Sequence, residues 1–236
     1  MKLILEGKAK KIFQTKNKSI LVQYFKDDAT AFNNKKKKKF NNKGVLNNLI
    51  SSDIYIYLNK NKIKTHFIKT ISDREQLIKK LSIIPLEVVV RNYAAGSLLE
   101  RLALKKGKKL INPIIEFYYK CDSLNDPLIN DDHIFLLNLA KKEQIKKIKS
   151  ISLKINYLLI KYFKKINLIL VDYKMEFGTL NKNIILADEI SPDSCRLWDS
   201  KTKNSYDKDV FRENKGDLIK SYKEVIRRLD IEVKNV

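Results

Sequence analysis

The stretch LILVDYKMEFGTLNKNIILADE, at Leu168–Glu189, decides the fold of this chain. Its first half alternates polar and apolar residues, so Asp172, Lys174 and Glu176 share one face of a predicted strand. Turn-forming residues separate this half from an apolar run, IILA, that leads back along it. The pattern therefore predicts a β-hairpin that carries three charged side chains on one face.

Two carboxylates of this hairpin form the first candidate site. A turn centred on Lys182 would place Glu176 opposite Asp188, and carboxylates that face each other repel unless a cation lies between them. Mg²⁺ commonly takes one or two carboxylates together with phosphate oxygens. The pair therefore predicts a metal site for a nucleotide. The alternative is two solvated carboxylates, or a set that Lys174 neutralises.

The segment that follows the hairpin, ISPDSCRLWD, holds further charged candidates. Ser-Pro-Asp-Ser is a turn sequence, and it delivers Asp193 and Arg196 close to the strand end that carries Asp188. A guanidinium can bind a carboxylate or phosphate through two parallel hydrogen bonds, which makes Arg196 a candidate anion ligand. The alternative for Arg196 is an ordinary surface charge.

Two N-terminal segments indicate anion binding more weakly. In VVVRNYAAGS an apolar strand ends at Arg91, and a turn of small residues opens a helix near Ser97, where free backbone N–H groups favour an anion. The alternative is an ordinary helix cap. The segment EGKAKKIF is a basic turn that enters a strand, and it lacks the longer glycine-rich pattern of a Walker P-loop.

The rest of the chain mixes predicted strands and helices without strict alternation, which predicts an α+β fold. Helical spacing of apolar residues predicts helices over Gly44–Lys60, Ala94–Lys105, Lys141–Lys165 and Gly216–Leu229. Strand patterns cover Lys10–Phe13, Ser19–Phe25, His66–Ile71, residues within Ser72–Lys80, Leu86–Asn92, Leu168–Phe177 and Ile184–Asp188.

The net charge of +22 suggests a nucleic-acid partner, but its composition argues against one. Lysine supplies 42 of the 49 basic residues, and abundant Lys, Asn and Ile together indicate AT-rich codons. The run Lys35–Lys39, flanked by asparagines, predicts a solvated, mobile loop. A polyanion-binding protein is kept as the alternative.

Few other functional classes fit the composition. No apolar run is long enough to span a bilayer, and the first residues lack the apolar stretch of a signal peptide. Cys121 and Cys195 form neither a disulfide framework nor a zinc ligand set. We therefore expect a cytoplasmic protein without a membrane partner.

Taken together, these segments resemble the SAICAR synthetase family of purine biosynthesis. The long matching strings are EGKAKKIF at Glu6–Phe13, VVVRNYAAGSLLERL at Val88–Leu102, DYKMEFG at Asp172–Gly178 and DEISPDSCRLWD at Asp188–Asp199. Shorter matches are KGVLNN at Lys43–Asn48, KCDSLNDPLIND at Lys120–Asp131 and DKDVFR at Asp207–Arg212. Their order and spacing agree with the family from Glu6 to about Leu229.

The resemblance implies an architecture and a reaction. The fold would combine an antiparallel β-rich N-terminal part, residues 1–83, with an α/β part, residues 84–236, and ATP would bind in the cleft between them. The enzyme would join 5-amino-1-(5-phosphoribosyl)imidazole-4-carboxylate to L-aspartate, and it would split ATP to ADP and phosphate with Mg²⁺. The family also implies a homodimer and no specific nucleic-acid partner.

The resemblance also implies a role for each matching residue. Lys8 and Lys10 would contact the ATP phosphates, while Glu176 and Asp188 would hold Mg²⁺. The adenine slot would be formed by Ile12, Leu81, Ile83 and Met175. The imidazole nucleotide would be bound by Arg91, Ser97, Asp193, Arg196 and Arg212. Asp172, Lys174 and Arg196 would act in catalysis, and Lys120 and Asp126 are candidates for the aspartate site.

The chain also departs from the family pattern. After Ala31-Phe32 the family usually has Asp-Gly, whereas this chain has Asn33-Asn34 and the lysine run. The carboxylate of that loop is therefore absent. No predicted metal ligand or phosphate contact is lost. The metal clamp alone does not select an acceptor, so a kinase-like ATPase acting on another acceptor is a further alternative.

Overall fold

The computed structural model describes residues 1–31 and 36–232. Its strands are β1 (Lys2–Glu6), β2 (Lys10–Gln14), β3 (Ile20–Phe25), β4 (Asp28–Ala31), β5 (Lys36–Lys39), β6 (Phe67–Ser72), β7 (Glu75–Lys79), β8 (Ser82–Tyr93), β9 (Lys109–Tyr119), β10 (Leu128–Ile129), β11 (Leu168–Leu180), β12 (Asn183–Ala187) and β13 (Cys195–Asp199). Its helices are α1 (Lys43–Lys60), α2 (Ser97–Leu102), α3 (Asp131–Leu136), α4 (Lys142–Lys165), α5 (Asp209–Arg212) and α6 (Leu218–Arg228).

Two antiparallel sheets form the framework, which confirms the predicted α+β class. The first has the order β1-β2-β3-β7-β6, and we call it the N-terminal sheet. The second, the C-terminal sheet, has the order β10-β9-β8-β11-β12, with β13 paired to the first half of β11. The sheets meet where Thr65, just before β6, forms a parallel bridge to Leu186 of β12. The predicted boundary between residues 83 and 84 lies inside β8.

Strand β11 is confirmed as a strand, and the structure places it inside the C-terminal sheet. It pairs with β8 along one edge and with β13 and then β12 along the other. Tyr173 points toward α4, because its hydroxyl donates to the backbone oxygen of Ser152 at 3.2 Å. Alternation then places Asp172, Lys174 and Glu176 on the opposite face, away from α4.

The register of the hairpin differs by one residue from the prediction. Glu176 lies opposite Ala187 rather than Asp188, because the turn is centred between Asn181 and Lys182. Both turn residues have positive φ, 48° and 64°, as two-residue hairpin turns require. Asp188 follows the end of β12 with φ 64°, so the backbone leaves the ladder there.

The helices cover the sheets and enclose one main apolar core. Helix α4 packs on β11, and it begins where the Lys141 N–H donates to Gln144 Oε1 at 2.7 Å. Helix α1 contacts the N-terminal sheet and α6. Asp217 caps α6 by accepting from the backbone N–H groups of Ile219 and Lys220. No helix in the described part of the chain is long and apolar enough to cross a membrane.

Two local predictions need correction, and one long strand was missed. The lysine run is not a loop, because Lys36–Lys39 form β5 and pair with β4 in an antiparallel ladder; Lys35 lies outside the described residues. Helix α2 is only six residues long, since Ala103 adopts positive φ and ends it early. The sequence also gave no indication of β9, in which apolar and polar residues do not alternate cleanly.

Candidate functional site

A partly buried ion pair joins the two sheets at the centre of the candidate site. The ammonium of Lys10, on β2, contacts the carboxylate of Asp188 and lies 3.1 Å from Glu189 Oε1. Burial alone would lower the pKa of Lys10, but these two carboxylates outweigh it and raise that pKa above its usual value. Lys10 is therefore held as a charged cation between the sheets.

Glu176 lies beside this pair with two further lysines. Lys120 Nζ is 2.6 Å from Glu176 Oε2, and Lys174 Nζ is 3.7 Å from Oε1. Burial raises the pKa of Glu176, and the negative charge of Asp188 raises it further. Burial also acts to raise the pKa of Asp188, but Lys10 and Lys174 outweigh it and hold that pKa below its usual range. The two predicted metal ligands are therefore close enough to affect each other's ionisation, despite the shifted register.

Lys174 connects this group to β8. Its ammonium donates to Glu87 Oε1 at 2.6 Å, and Glu87 pairs directly with Glu176 across the β8–β11 ladder. Burial acts to lower the pKa of Lys174, but Glu87 and Asp188 more than compensate and raise it. We call this alternating set the lysine–carboxylate cluster; its members are Lys10, Glu87, Lys120, Lys174, Glu176, Asp188 and Glu189.

The predicted adenine contacts are only partly brought together. Ile83 is 48% exposed at the start of β8, and Ile12 and Leu81 are half-buried. Leu81 packs closely on the backbone of Gly178, where a Cβ would lie 2.8 Å from Leu81 Cβ. Met175 is different, because it is fully buried in the main core on the α4 face of β11. Its predicted contact with adenine does not fit this placement.

Lys8 lies at the exposed edge of the same site. Its ammonium donates to Asp122 Oδ1 at 2.9 Å, and both side chains are largely open to solvent. Asp122 begins a single 3-10 turn two residues after Lys120. Asp126, the other aspartate-site candidate, accepts a hydrogen bond from the backbone N–H of Cys121. The exposed Lys8–Asp122 pair contributes little stability by itself, which leaves Lys8 free to exchange partners.

A largely buried set of charged residues lies next to the lysine–carboxylate cluster along β11. We call it the arginine network; its members are Arg91, Arg196, Arg212, Asp172 and Asp209. Arg91 Nη1 and Arg196 Nη1 both donate to Asp172 Oδ2 at 2.9 Å. Arg196 Nε also donates to Asp209 at 2.7 Å, and Arg212 donates to the other oxygen of Asp209 at 2.6 Å. Burial acts to lower the pKa of Arg196, but Asp172 and Asp209 outweigh it and raise that pKa.

Glycine is required where the backbone meets this network. Gly96 has φ 55°, and a Cβ at this position would lie 2.6–2.8 Å from the Arg196 guanidinium. Any side chain would therefore be strained by the backbone conformation and would displace the guanidinium. The turn of small residues before α2 therefore leaves room for the Arg196 guanidinium to approach the start of this helix.

Ser97 contacts the network through its side chain. Its hydroxyl accepts from Arg91 Nη2 at 3.2 Å and from Arg101 Nη1 at 3.0 Å. Arg101 also donates to the Tyr118 hydroxyl at 2.9 Å. Helix α2 is too short for its N-terminus to supply the anion site that the sequence suggested, so the arginines carry the positive charge here.

Asp193 is placed apart from its predicted partners. It forms a fully buried ion pair with Lys43 Nζ at 2.5 Å and accepts from the Tyr222 hydroxyl at 2.6 Å. Burial acts to raise its pKa, but Lys43 outweighs it and lowers that pKa. The structure therefore gives Asp193 a position that ties α1 and α6 to the turn before β13, and its role in substrate binding stays a prediction.

Sequence reasoning missed several members of the site. Glu116 on β9 accepts from Arg91 Nε at 2.8 Å and also contacts Arg101, while Glu87 neutralises Lys174. Asp209 was present in the matched string DKDVFR but received no role. A charged residue inside an otherwise apolar strand, such as Glu116 in NPIIEFYY, was the available signal.

Comparisons with known proteins point to one family. Residues 3–229 match the family model described as SAICAR synthetase. The chain is 51% identical to the phosphoribosylaminoimidazole-succinocarboxamide synthase of Exiguobacterium sp. strain ATCC BAA-1283 / AT1b, over 97% of this chain and 98% of the relative. A crystal structure of this synthase from Ehrlichia chaffeensis has TM-score 0.96 and 47% identity, covering 99% of this chain and 100% of that one. A SAICAR synthetase in complex with ADP has TM-score 0.96 and 49% identity, with 100% of both chains covered.

Fold and site together define a nucleotide-binding ligase, with one site of lysines and carboxylates and an adjacent site of arginines. The chain belongs to the SAICAR synthetase family.

Proposed function

We propose that this chain catalyses the reaction after which its family is named, in de novo purine biosynthesis. The reaction joins 5-amino-1-(5-phosphoribosyl)imidazole-4-carboxylate to L-aspartate at the expense of ATP. One observation carries the proposal: Asp172, Lys174 and Glu176 lie on one face of β11, so the arginine network and the lysine–carboxylate cluster are adjacent. The carboxylate of the imidazole nucleotide, bound at the arginine network, can therefore reach an ATP phosphate bound at the lysine–carboxylate cluster.

The chemistry requires activation of a carboxylate. A carboxylate oxygen of the imidazole nucleotide attacks the γ-phosphorus of ATP, the bond from that phosphorus to the β,γ-bridging oxygen breaks, and ADP leaves. The aspartate amine then attacks the acyl carbon of the acyl phosphate, the carbon–oxygen bond breaks, and phosphate leaves while the amine loses a proton. The products are the succinocarboxamide, ADP and phosphate. The protein supplies positioning and charge neutralisation, with no covalent nucleophile.

ATP phosphates would bind at the lysine–carboxylate cluster. Lys8, Lys10 and Lys120 each pair with a carboxylate, so phosphate oxygens would replace these partners. Release of Glu176 and Asp188 from the lysines would leave two adjacent carboxylates. An oxygen donor set of this kind suits Mg²⁺, which takes one or two carboxylates and completes its shell with phosphate oxygens and water. When bound there, the ion would neutralise charge on the phosphates.

The imidazole nucleotide would bind at the arginine network. Arg91, Arg196 and Ser97 lie together and can offer hydrogen bonds to its phosphate or carboxylate. Arg101 is a fourth possible ligand of the imidazole nucleotide, because its guanidinium lies beside Ser97 and is partly exposed to solvent. Lys174 is between Glu87 and Glu176 at the border with the phosphate site, where its charge can stabilise the developing acyl phosphate. Asp172 orients both arginines.

Adenine would lie against Ile12, Leu81 and the exposed Ile83, near the crossing from the N-terminal sheet to β8.

The division at residue 83, a homodimer and a cytoplasmic location remain predictions from the sequence and the family.

The test is synthesis by the purified full chain. Product formation, measured by chromatography together with phosphate release, should require ATP, Mg²⁺, L-aspartate and the carboxylated nucleotide, and omission of any one should abolish it. Phosphate release with other acceptors but not with this nucleotide would favour a kinase-like ATPase. A folded chain that releases no phosphate and binds RNA tightly at physiological salt would favour a polyanion-binding role.

A further inference from the structure

Strand β11 contains a β-bulge beside the arginine network. Leu170 pairs with Leu197 of β13, but the next pair along the ladder is Asp172 with Arg196, so Val171 is one extra residue on β11. Regular alternation would turn Asp172 to the same side as Leu170, which lies in the main core. The extra residue instead places Asp172 on the opposite face, because a bulge re-aims the side chains beside it.

The packing of the neighbouring side chains agrees with this bulge. Val171 is fully buried against Trp198 in a small apolar cluster, separate from the main core that contains Leu170. Trp198 and Arg196 are two residues apart on β13, so they share one face of the sheet. Val171 and the following Asp172 therefore both lie on the face of the arginine network. Without the bulge, Asp172 would not lie opposite Arg196.

The side chain of Asn92 binds β11 at this bulge. The β8–β11 ladder ends with Arg91 opposite Asp172, and Asn92 is the next residue of β8. Its Nδ2 donates to the backbone oxygen of Leu170, the residue before the bulge, at 3.2 Å. Asn92 thus connects the two strands just beyond the last ladder pair, on the face of the sheet opposite to the Arg91 side chain.

A reciprocal pair of amides fixes the orientation of Asn92. Its Nδ2 donates to Asn156 Oδ1 at 2.9 Å, and Asn156 Nδ2 donates to Asn92 Oδ1 at 2.8 Å. Asn156 lies on α4 and is only 2% exposed. Reversal of both amides would keep this pair but would set Asn92 Oδ1 against Leu170 O, and two acceptors cannot bond each other. The three contacts together allow one orientation of the Asn92 amide.

We propose that Asn92 is a positioning residue of the imidazole-nucleotide site. Its amide holds the Val171 bulge in place, and the bulge aims Asp172 at the two guanidiniums. Arg91 and Arg196 both donate to Asp172 Oδ2 at 2.9 Å, so loss of the bulge would remove their common anchor. Asn92 acts from the other face of the sheet, through Asp172. This inference rests on the proposed function, which places the nucleotide at the arginine network.

The decisive comparison uses three apolar variants of similar shape. Asn92→Leu removes the donor to Leu170 O, whereas Asn156→Leu removes the partner amide and leaves that donor in place. Each single change leaves one buried amide without its partner, so we expect both to lower Tm by at least about 3 °C. The double variant Asn92→Leu/Asn156→Leu removes both amides together, and its Tm should return to within about 2 °C of wild type.

The affinity for the imidazole nucleotide should not follow stability. We expect Asn92→Leu and the double variant to raise both its KM and its calorimetric Kd at least about fivefold, while the KM for ATP changes less than about twofold. Asn156→Leu should stay within about twofold of wild type in all three quantities, despite its lower Tm. A contribution to stability alone would instead restore the wild-type KM in the double variant.

A double-mutant cycle tests whether Asn92 acts through the arginine network. Arg196→Lys should raise the nucleotide KM at least about tenfold in the wild-type background but less than about threefold in the Asn92→Leu background, because residues that act through one network are not additive. The cycle is measured on the full chain with saturating ATP, Mg²⁺ and L-aspartate.

Three results would overturn the assignment: a wild-type nucleotide KM in Asn92→Leu and the double variant, an equal rise in Asn156→Leu and Asn92→Leu, or additive effects in the cycle. If Asn92→Leu does not fold, the double variant carries the same comparison. Failure of the proposed function would be evident separately, because the wild-type chain would then neither bind the imidazole nucleotide nor convert it.

Discussion

Lys10 and Asp188 form a partly buried ion pair across 178 positions of sequence, and this pair connects the N-terminal sheet to the end of β12. In the proposed function these residues bind ligands of opposite charge. Lys10 would bind phosphate, and Asp188 would bind a metal ion. In the structure, the charged groups of the proposed nucleotide site therefore neutralise each other. Binding of ATP with Mg²⁺ would exchange these internal contacts for contacts with the ligand, so phosphate and metal are expected to bind together.

Glu176→Gln tests this exchange. The amide keeps the shape of the side chain but removes the charge that would attract Mg²⁺ and that now neutralises Lys120. We expect kcat to fall at least 100-fold, and we expect Mg²⁺ to lose its effect on ATP affinity in calorimetric titrations. Glu143→Gln, near the start of α4 and exposed, should behave as wild type. Wild-type kinetics in Glu176→Gln would remove this residue from the metal site.

Arg196→Lys tests the arginine network. A single ammonium cannot bridge Asp172 and Asp209 as the planar guanidinium does through Nη1 and Nε. We expect the KM for the imidazole nucleotide to rise at least tenfold, while the KM for ATP changes little. Arg227→Lys, on the exposed end of α6, is the control. Equal nucleotide KM values in wild type and Arg196→Lys would mean that Arg196 is not a ligand.

Glu116→Gln tests the support behind the nucleotide site. Removing this carboxylate leaves the charge of buried Arg91 without one of its two partners, and breaking a buried pair in this way typically costs about 3–5 kcal/mol. We expect the free energy of unfolding in urea to fall by this amount and the nucleotide KM to rise. Glu100→Gln, exposed on α2, should change stability by less than about 0.5 kcal/mol. A fall no greater than that of the control would show that Arg91 does not depend on Glu116.

The burial of His66 predicts that the free energy of unfolding depends on pH. It is fully buried, neither ring nitrogen has a hydrogen-bond partner in the described part of the chain, and burial lowers its pKa to about 3. The unfolded chain therefore binds one more proton than the folded chain between pH 3 and about 6.5, so stability is lost as pH falls through this range.

The expected slope is about 1.4 kcal/mol per pH unit, or about 2 kcal/mol between pH 6.5 and pH 5. His66→Leu should lose this part of the slope in urea unfolding, whereas His133→Leu, exposed on α3, should keep it. Parallel pH profiles for wild type and His66→Leu would contradict the prediction.

Local sequence pattern was enough to predict much of the framework. Helix α4 begins and ends within one residue of its predicted bounds, and β11 was recognised from its alternation. The shared face of Asp172, Lys174 and Glu176 follows from the two-residue period of a strand, which needs no tertiary information. Errors arose where a single residue changes the outcome, as in the hairpin register and at Ala103, which ends α2.

By itself, the sequence determined the family, the α+β class and the face of β11 that carries the charged groups, because periodicity and motif order are local properties of the chain. Only the tertiary structure decided which charges are paired. Glu116 joins Arg91, Lys43 joins Asp193, and Glu87 joins Lys174. These pairings form between residues far apart in sequence, and they depend on burial and distance, which exist only once the sheets and helices have packed together.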